Sequence, residues 1–253
     1  MNVLITGGSG FLGFHLTKKL LVENLSTRIM IMSRNEHKQQ EMKRAINDER
    51  VKFLLGDVRN MNDVMTASAY CDVIIHAAAI KRIDAAEENP IYATEVNIRG
   101  TENVMMAANQ NMVQKVIYIS TDKASRPHTT YGATKYCAEQ IVRKTQHNVF
   151  APSVIRYGNV LDSTGSVLKI WEKQYKYNKT IAVRDKEMTR FFWHISEAVD
   201  VVINELSNEN PKDIIIPEMK ALNIYEMAKY LYPDAEIKTV SYTHLTLPTP
   251  PYV

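Results

Sequence analysis

The chain opens on an apolar strand that runs directly into glycines and then into a helix. Val3-Leu4-Ile5-Thr6 is followed by Gly7-Gly8-Ser9-Gly10-Phe11-Leu12-Gly13 and by the helical run from Leu16 to Leu25. Few folds accept that order. Gly7 permits the tight turn, Gly10 lets backbone approach a pyrophosphate, and Gly13 lets the helix pack close to the strand. The N–H groups of the first helical turn then face an anion. Strand, glycine turn and helix together supply the context that a dinucleotide fingerprint needs.

Alternation continues along the chain. Apolar, β-branched runs predict strands near 2–6, 28–32, 51–55, 72–77, 115–119 and 151–157. Helical periods fall near 11–24, 35–47, 61–69, 89–111, 131–147 and 166–177. This order implies right-handed βαβ units and an α/β fold, a doubly wound parallel sheet of Rossmann type. Residues 1–160 are expected to form the nucleotide-binding domain. Residues 161–240, with looser elements at Ile195–Leu206, Ile214–Ile216 and Ile224–Leu231, are expected to form a smaller, truncated substrate lobe over the sheet's carboxyl edge. Residues 241–253 have three prolines, no charge and no helical period. They read as a non-native tail, with the natural sequence departing near Val240.

Composition narrows the function classes. With 253 residues, 45% hydrophobic and 23% charged, the chain reads as a globular protein. The net charge of +3 comes from scattered Lys and Arg, so no nucleic-acid partner is expected. No apolar run approaches the ~20 residues of a membrane span. The chain begins on a strand, and Cys71 and Cys137 are isolated, which predicts a reduced, cytoplasmic protein. The histidines are dispersed and no metal is expected. His76, closing the run Val73-Ile74-Ile75, reads as structural.

The chemistry concentrates after the fifth strand. Val116-Ile117-Tyr118-Ile119 leads into Ser120-Thr121-Asp122-Lys123, at a carboxyl strand end where such sheets bind ligands. Tyr131 and Lys135 in Tyr-Gly-Ala-Thr-Lys are four apart and share a helix face. A lysine ammonium near a phenol favours the phenolate, which would make Tyr131 a general base. The second strand ends at Ser33-Arg34, without the acidic residue that usually binds ribose hydroxyls in NAD sites. Arg34, helped by Lys38, suits a 2′-phosphate, so the expected cofactor is NADP. Asp57-Val58, after the third strand, falls where an adenine edge could bind.

These segments resemble the extended short-chain dehydrogenases/reductases, and more closely the polysaccharide-biosynthesis group of inverting UDP-N-acetylglucosamine 4,6-dehydratases. The resemblance covers about residues 2–240 and rests on ITGGSGFLG, SRNEHKQQEM, GDVRN, DVIIHAAAIKRID, ENP, STDKASRPHTTYGATK, RYGNV, TGSV and EMTRFF. It implies that Ser9, Gly10, Phe11, Leu12, Ser33, Arg34, Lys38, Asp57, Val58, Ala77 and Val160 line the NADP site. Lys81 would reach both cofactor and sugar, and Thr121, Asn159 and Val167 would contact substrate. Tyr131 and Lys135 would carry the redox step, and Asp122 and Lys123 the elimination. The implied partners are a UDP-sugar and further copies of the chain.

In the implied reaction Tyr131 removes the 4-hydroxyl proton as C4 loses hydride. A neutral Lys123 then takes the C5 proton, and protonated Asp122 helps the 6-hydroxyl leave as water. Retaining dehydratases carry Asp-Glu in place of Asp122-Lys123. Sugar epimerases are expected to match only in the glycine turn and Tyr-x-x-x-Lys. Two departures bear on substrate grip. Ser163-Thr164-Gly165-Ser166 stands where the group usually has Ser-Arg-Gly-Ser, and an Arg-x-Gly-Glu-Lys segment expected soon after Val240 is absent. A UDP-sugar 4-epimerase or epimerising dehydratase, and a non-catalytic NADP-binding module, are the alternatives.

Overall fold

The computed structural model of the protein describes residues 1–144, 151–161, 163, 166–208 and 213–240. The expected helix end at 145–147, Thr164, Gly165 and the tail 241–253 lie outside the described residues.

In chain order the first elements are β1 (Asn2–Thr6), α1 (Phe11–Val22), β2 (Arg28–Ser33), α2 (Glu36–Ile46), β3 (Val51–Leu55), α3 (Met61–Ser68) and β4 (Val73–His76). Next come α4 (Ile83–Glu88), α5 (Pro90–Thr94), α6 (Gly100–Gln110), β5 (Lys115–Thr121), α7 (Thr130–Lys144) and β6 (Ala151–Tyr157). A π-helical turn at Glu95–Arg99 joins α5 to α6, and a 3₁₀ turn at Asp122–Ala124 follows β5. The remainder comprises β7 (Asn159–Val160), α8 (Val167–Asn178), β8 (Thr180–Val183), β9 (Thr189–Trp193), α9 (Ile195–Leu206), β10 (Ile214–Ile215), β11 (Lys220–Asn223), α10 (Ile224–Leu231) and β12 (Glu236–Thr239).

Seven strands form one sheet in the order β10-β6-β5-β4-β1-β2-β3. Every pairing in it is parallel. This is the doubly wound Rossmann-type arrangement, with the strand order reversing between β1 and β4. Parallel strands covered on both faces need continuous apolar runs, and Val3, Leu4, Ile5, Ile29, Ile31, Ile74, Ile75, Val116 and Ile117 are fully buried. Asn35 and Asn60 start α2 and α3 by accepting from Lys38 N and Asn62 N with their side chains.

The chain divides into two compact units. The first is Met1–Tyr157 with Ile195–Pro217, and the second is Gly158–His194 with Glu218 onward. The expected single boundary at 160 differs from this division. Two features return 195–217 to the first unit. β10 pairs with β6, and α9 packs on α1, where Lys19 Nζ meets Asp200 Oδ1 at 3.1 Å. The second unit has its own small core of Trp171, Ile181, Val183, Phe192, Ile224 and Ala228. Its strands form a β11-β9-β7 sheet and a β12-β8 pair.

Candidate active site

Reversal of strand order between β1 and β4 opens a crevice at the carboxyl ends of the strands, where doubly wound sheets take their ligands. The segments after β1, β2, β3, β4 and β5 carry most of the residues singled out from sequence. Gly7 has φ +67°, a left-handed conformation that disfavours any side chain, and a Cβ there would come within 2.8 Å of Ala78 backbone. Ala77, on the same loop, donates its N–H to Thr6 O at 3.2 Å. A Cβ on Gly13 would overlap the Gly8 carbonyl. Helix α1 starts at Gly10 with no side-chain cap, which leaves its positive end to an external anion. Phe11 and Leu12 sit half-buried in its first turn.

Ser9 donates to Ser33 Oγ at 2.8 Å, and Gln39 Nε2 donates to the same oxygen at 2.9 Å. Ser33 thus accepts twice and keeps its own proton to donate. Arg34 donates to the Tyr92 hydroxyl and lies 3.7 Å from Asp57 Oδ2. Asp57 is gripped by Arg59 at 2.7 and 3.0 Å. Although burial works against its charge, Arg59 and Arg34 hold its carboxyl below the usual range. Val58 is buried beneath Gly100, so its side chain belongs to the core. Lys38 and Lys81 approach from α2 and from the loop after β4. Partial desolvation, and then the Lys38 charge, lower the Lys81 ammonium. An uncapped helix end and the Ser33 hydroxyl proton at the ends of β1 and β2 fit the pyrophosphate and ribose of a nicotinamide dinucleotide.

Strand β5 runs two residues further than expected, so Ser120 and Thr121 are its last members. Thr121 donates to Asp122 Oδ1 at 2.9 Å, and Lys123 Nζ meets the same oxygen at 2.9 Å. Thr121 also lies close enough to the Tyr131 side chain to favour its charged form. Helix α7 carries both Tyr131 and Lys135, yet the expected phenolate is not what these side chains favour. Burial pushes the Tyr131 phenol up to about 12, with Thr121 opposing the rise and Asp122 adding to it. Lys135 Nζ instead donates to Ile119 O at 2.6 Å and lies 4.1 Å from the centre of the Tyr118 ring. Burial brings Lys135 down to about 7, opposed by Glu139. The four-residue spacing sets both side chains on α7, and desolvation is the largest influence on the phenol.

A buried polar network behind the site had no sequence signal beyond isolated polar residues. Thr6 Oγ1 and His76 Nδ1 are 2.6 Å apart, and His76 Nε2 and Thr101 Oγ1 are 3.0 Å apart. Thr101 donates to Asn97 O at 2.6 Å, so its oxygen accepts from His76, which assigns the proton to Nε2. Asn97 Nδ2 donates to Thr134 Oγ1 at 3.0 Å, and Thr134 donates to Tyr131 O at 3.0 Å. Asn97 Oδ1 accepts from Ile80 N at 2.8 Å. The network ties β1, β4 and the π turn to the helix that carries Tyr131. His76 is structural and neutral, burial holding it down to about 3.

Asn159, Val160 and Val167 belong to the second unit. β7 pairs with β9, and Val167 opens α8 against that unit's core. Among the described residues no group of His, Cys, Asp and Glu could hold a metal ion, and no helix is long and apolar enough to cross a membrane.

Comparison with known proteins narrows the family. A protein named UDP-glucose 4-epimerase from Rickettsia bellii is 38% identical over 237 residues, covering 91% of this chain and 70% of that one. A UDP-N-acetylglucosamine 4,6-dehydratase (inverting) from Campylobacter jejuni is 36% identical over 246 residues, covering 94% and 73%. The expectation that epimerases match only in the glycine turn and Tyr-x-x-x-Lys is therefore corrected: this relative matches along most of the chain. Among solved structures, Pen from Bacillus thuringiensis superposes with a TM-score of 0.90 at 30% identity, covering 95% of this chain and 76% of that one. The dTDP-glucose 4,6-dehydratase DesIV from Streptomyces venezuelae, solved with NAD, reaches 0.87 at 19% identity, covering 95% and 84%, and shares the fold. The sequence profile described as polysaccharide biosynthesis protein matches residues 3–244, and the chain belongs to that family of extended short-chain dehydrogenases/reductases.

Proposed function

We propose that the protein is an NADP-dependent nucleotide-sugar 4,6-dehydratase, acting on UDP-N-acetylglucosamine with inversion at C5. The observation that carries this reading is the Asp122–Lys123 pair at the end of β5, at 2.9 Å, with the Thr121 hydroxyl donating to the same carboxylate oxygen. A redox tyrosine alone suits any 4-hydroxyl oxidation. A carboxyl group and an amine beside it supply the acid and base that elimination needs.

Ser33, Arg34, Lys38 and Lys81 would hold the nucleotide's phosphates and ribose, and the first turn of α1 its pyrophosphate. When bound, NADP supplies the acceptor for the C4 hydride and returns it at C6. Tyr131 takes the 4-hydroxyl proton. A phenol held up to about 12 stays protonated at neutral pH and its phenolate is scarcely populated, so Tyr131 needs a cationic neighbour during turnover. Lys135, able to be charged or neutral near pH 7, is that neighbour on α7. Lys123 removes the acidified C5 proton after passing its own proton to Asp122. Protonated Asp122 then delivers a proton to the departing 6-hydroxyl, and as hydride adds at C6 a proton returns to C5 on the face opposite Lys123, which gives the inversion. The working form is a homo-oligomer.

A second reading, UDP-sugar 4-epimerisation, is favoured by the 38% identity to a protein so named. Incubation with UDP-N-acetylglucosamine and with UDP-glucose, followed by proton NMR, separates the two. Dehydration gives a C6 methyl signal and a 4-keto product; epimerisation gives the 4-epimer with its 6-hydroxymethyl intact. Clean 4-epimer without a methyl signal would overturn the dehydratase reading.

A further inference from the structure

One turn beyond Lys135 on α7, Glu139 has a side chain with no exposed surface. A carboxylate in that position is costly unless it is paired and hydrogen-bonded. Arg156 of β6, itself 13% exposed, supplies the pair: Nη2 lies 2.7 Å from Oε2, and Nε lies 3.0 Å from Oε1 and 3.3 Å from Oε2. Ser120 of β5 donates to Oε1. Ser120 adjoins Ile119, whose carbonyl takes the Lys135 ammonium at 2.6 Å. Neighbouring residues of one strand end therefore hold the lysine and the carboxylate. Nothing in the redox step requires a buried Glu–Arg pair, so its place under Lys135 needs a reason.

We propose that Glu139, clamped by Arg156 and Ser120, is a positioning residue that keeps Lys135 cationic and aimed along the carboxyl end of β5. The other ionisable groups around Lys135 do not supply this charge. On its own helix Tyr131 is a neutral phenol, Tyr118 of β5 is buried and neutral, and His76 of β4 is neutral at about 3. On the elements packed against α7, Glu87 of α4 accepts from Thr130, Glu95 of the π turn faces Arg59, and Arg99 pairs with Glu102 of α6. Asp122 pairs with Lys123, and Arg143 at the far end of α7 pairs with Asp213. Glu139 is the group that opposes desolvation of Lys135. The inference rests on the proposed redox role of Lys135, but its electrostatic core can be measured without substrate.

The protein would be produced with ¹³Cε-lysine, and the Lys135 resonance assigned from its loss in Lys135→Arg. Its titration midpoint would be read by NMR in the unmutated chain, in Glu139→Gln, and in Glu139→Met with Arg156→Met. Glu139→Gln removes the anion and leaves the Arg156 cation facing Lys135, so the midpoint should fall furthest, by about one pH unit. The double variant removes both charges and replaces the pair by apolar side chains of similar length, a change that buried ion pairs often tolerate. Its midpoint should lie between the other two. The alkaline limb of the turnover profile on a UDP-sugar should move in the same order. A midpoint in either folded variant that stays at or above that of the unmutated chain would overturn the proposal. If Glu139→Gln fails to fold, the double variant decides alone. A midpoint shifted as expected with an unmoved turnover profile supports the electrostatic link and counts against Lys135 as a participant in the redox step.

Discussion

Replacing Arg34 by Ala tests cofactor choice through a contact whose surroundings are known. A hydrogen bond between a guanidinium and a phosphate contributes about 1.5–3 kcal/mol. Two features of the site reduce that figure. The Arg34 side chain is 42% exposed, so solvent screens it. It also lies 3.7 Å from Asp57 Oδ2, and a 2′-phosphate must compete with that carboxylate. The net loss should be about 1–2 kcal/mol, or roughly 5- to 30-fold weaker NADP binding. NAD has no 2′-phosphate, so its affinity should change by less than about threefold. Asp57→Asn should act in the opposite direction on the ratio, because it removes the competing anion and leaves Arg34 held by Tyr92. Calorimetric titration of NADPH and NADH into each variant needs no sugar substrate. Equal losses for both nucleotides in Arg34→Ala would reduce Arg34 to a solvated surface residue. Tighter NAD than NADP in the unmutated chain would refute the cofactor assignment itself.

Tyr131→Phe should lower turnover at least about 10²-fold while NADP still binds, since one hydroxyl is lost and the ring remains; near-normal turnover would leave Tyr131 as a helix-start residue. Lys123→Ala should stop solvent deuterium from entering C5 yet allow oxidation at C4, so absorbance near that of NADPH should accumulate; unimpaired exchange would remove Lys123 from the elimination. His76, held down to about 3, binds its proton far more readily in the unfolded chain. Stability that is fully present above about pH 6.5 should therefore fall as pH drops, by at most about 1.4 kcal/mol per pH unit from this group. Urea unfolding of His76→Gln between pH 7 and 5 should show a shallower fall, and an identical slope would mean another group titrates there.

The sheet was legible because each strand is a short apolar run bounded by turn residues, and Gly7 to Gly13 announce the first crossover. Less legible was any feature set by partners distant in sequence. The period of residues 89–111 suggests one helix; the structure has α5, a π turn and α6. Asn97 explains the interruption, since its side chain is drawn to Ile80 backbone and its carbonyl to Thr101. Helix α4 has no legible period because Ile83–Glu88 spans only six residues. The pairing of Arg34 with Tyr92 joins residues 58 apart. The return of 195–217 to the first unit depends on β10 finding the β6 edge, which no local pattern encodes. Tyr131 shows the same limit within the site. A four-residue spacing is a local fact, whereas the proton affinity of its phenol is set by what buries it.

Dehydratase-named and epimerase-named relatives at similar identity are consistent with one chemical step shared and a later one divergent. Both reactions begin when a base takes the 4-hydroxyl proton and C4 gives up hydride, and under the proposed roles that asks only for Tyr131, Lys135 and a nicotinamide site. The paths part at the 4-keto sugar. Epimerisation requires the ring to present its other face to the returning hydride, so it gains from a site with room to turn and no base at C5. Elimination requires the ring to stay, with an amine able to shed its proton and a carboxyl able to hold one. Asp122 Oδ1 receives both the Thr121 hydroxyl and the Lys123 ammonium at 2.9 Å. One proton moving from Lys123 to Asp122 converts that ion pair into a neutral base and a neutral acid, without importing a proton from solvent. An epimerase has no use for this transfer, so the proposed dehydratase reading rests on the 3₁₀ turn after β5 more than on the redox pair on α7.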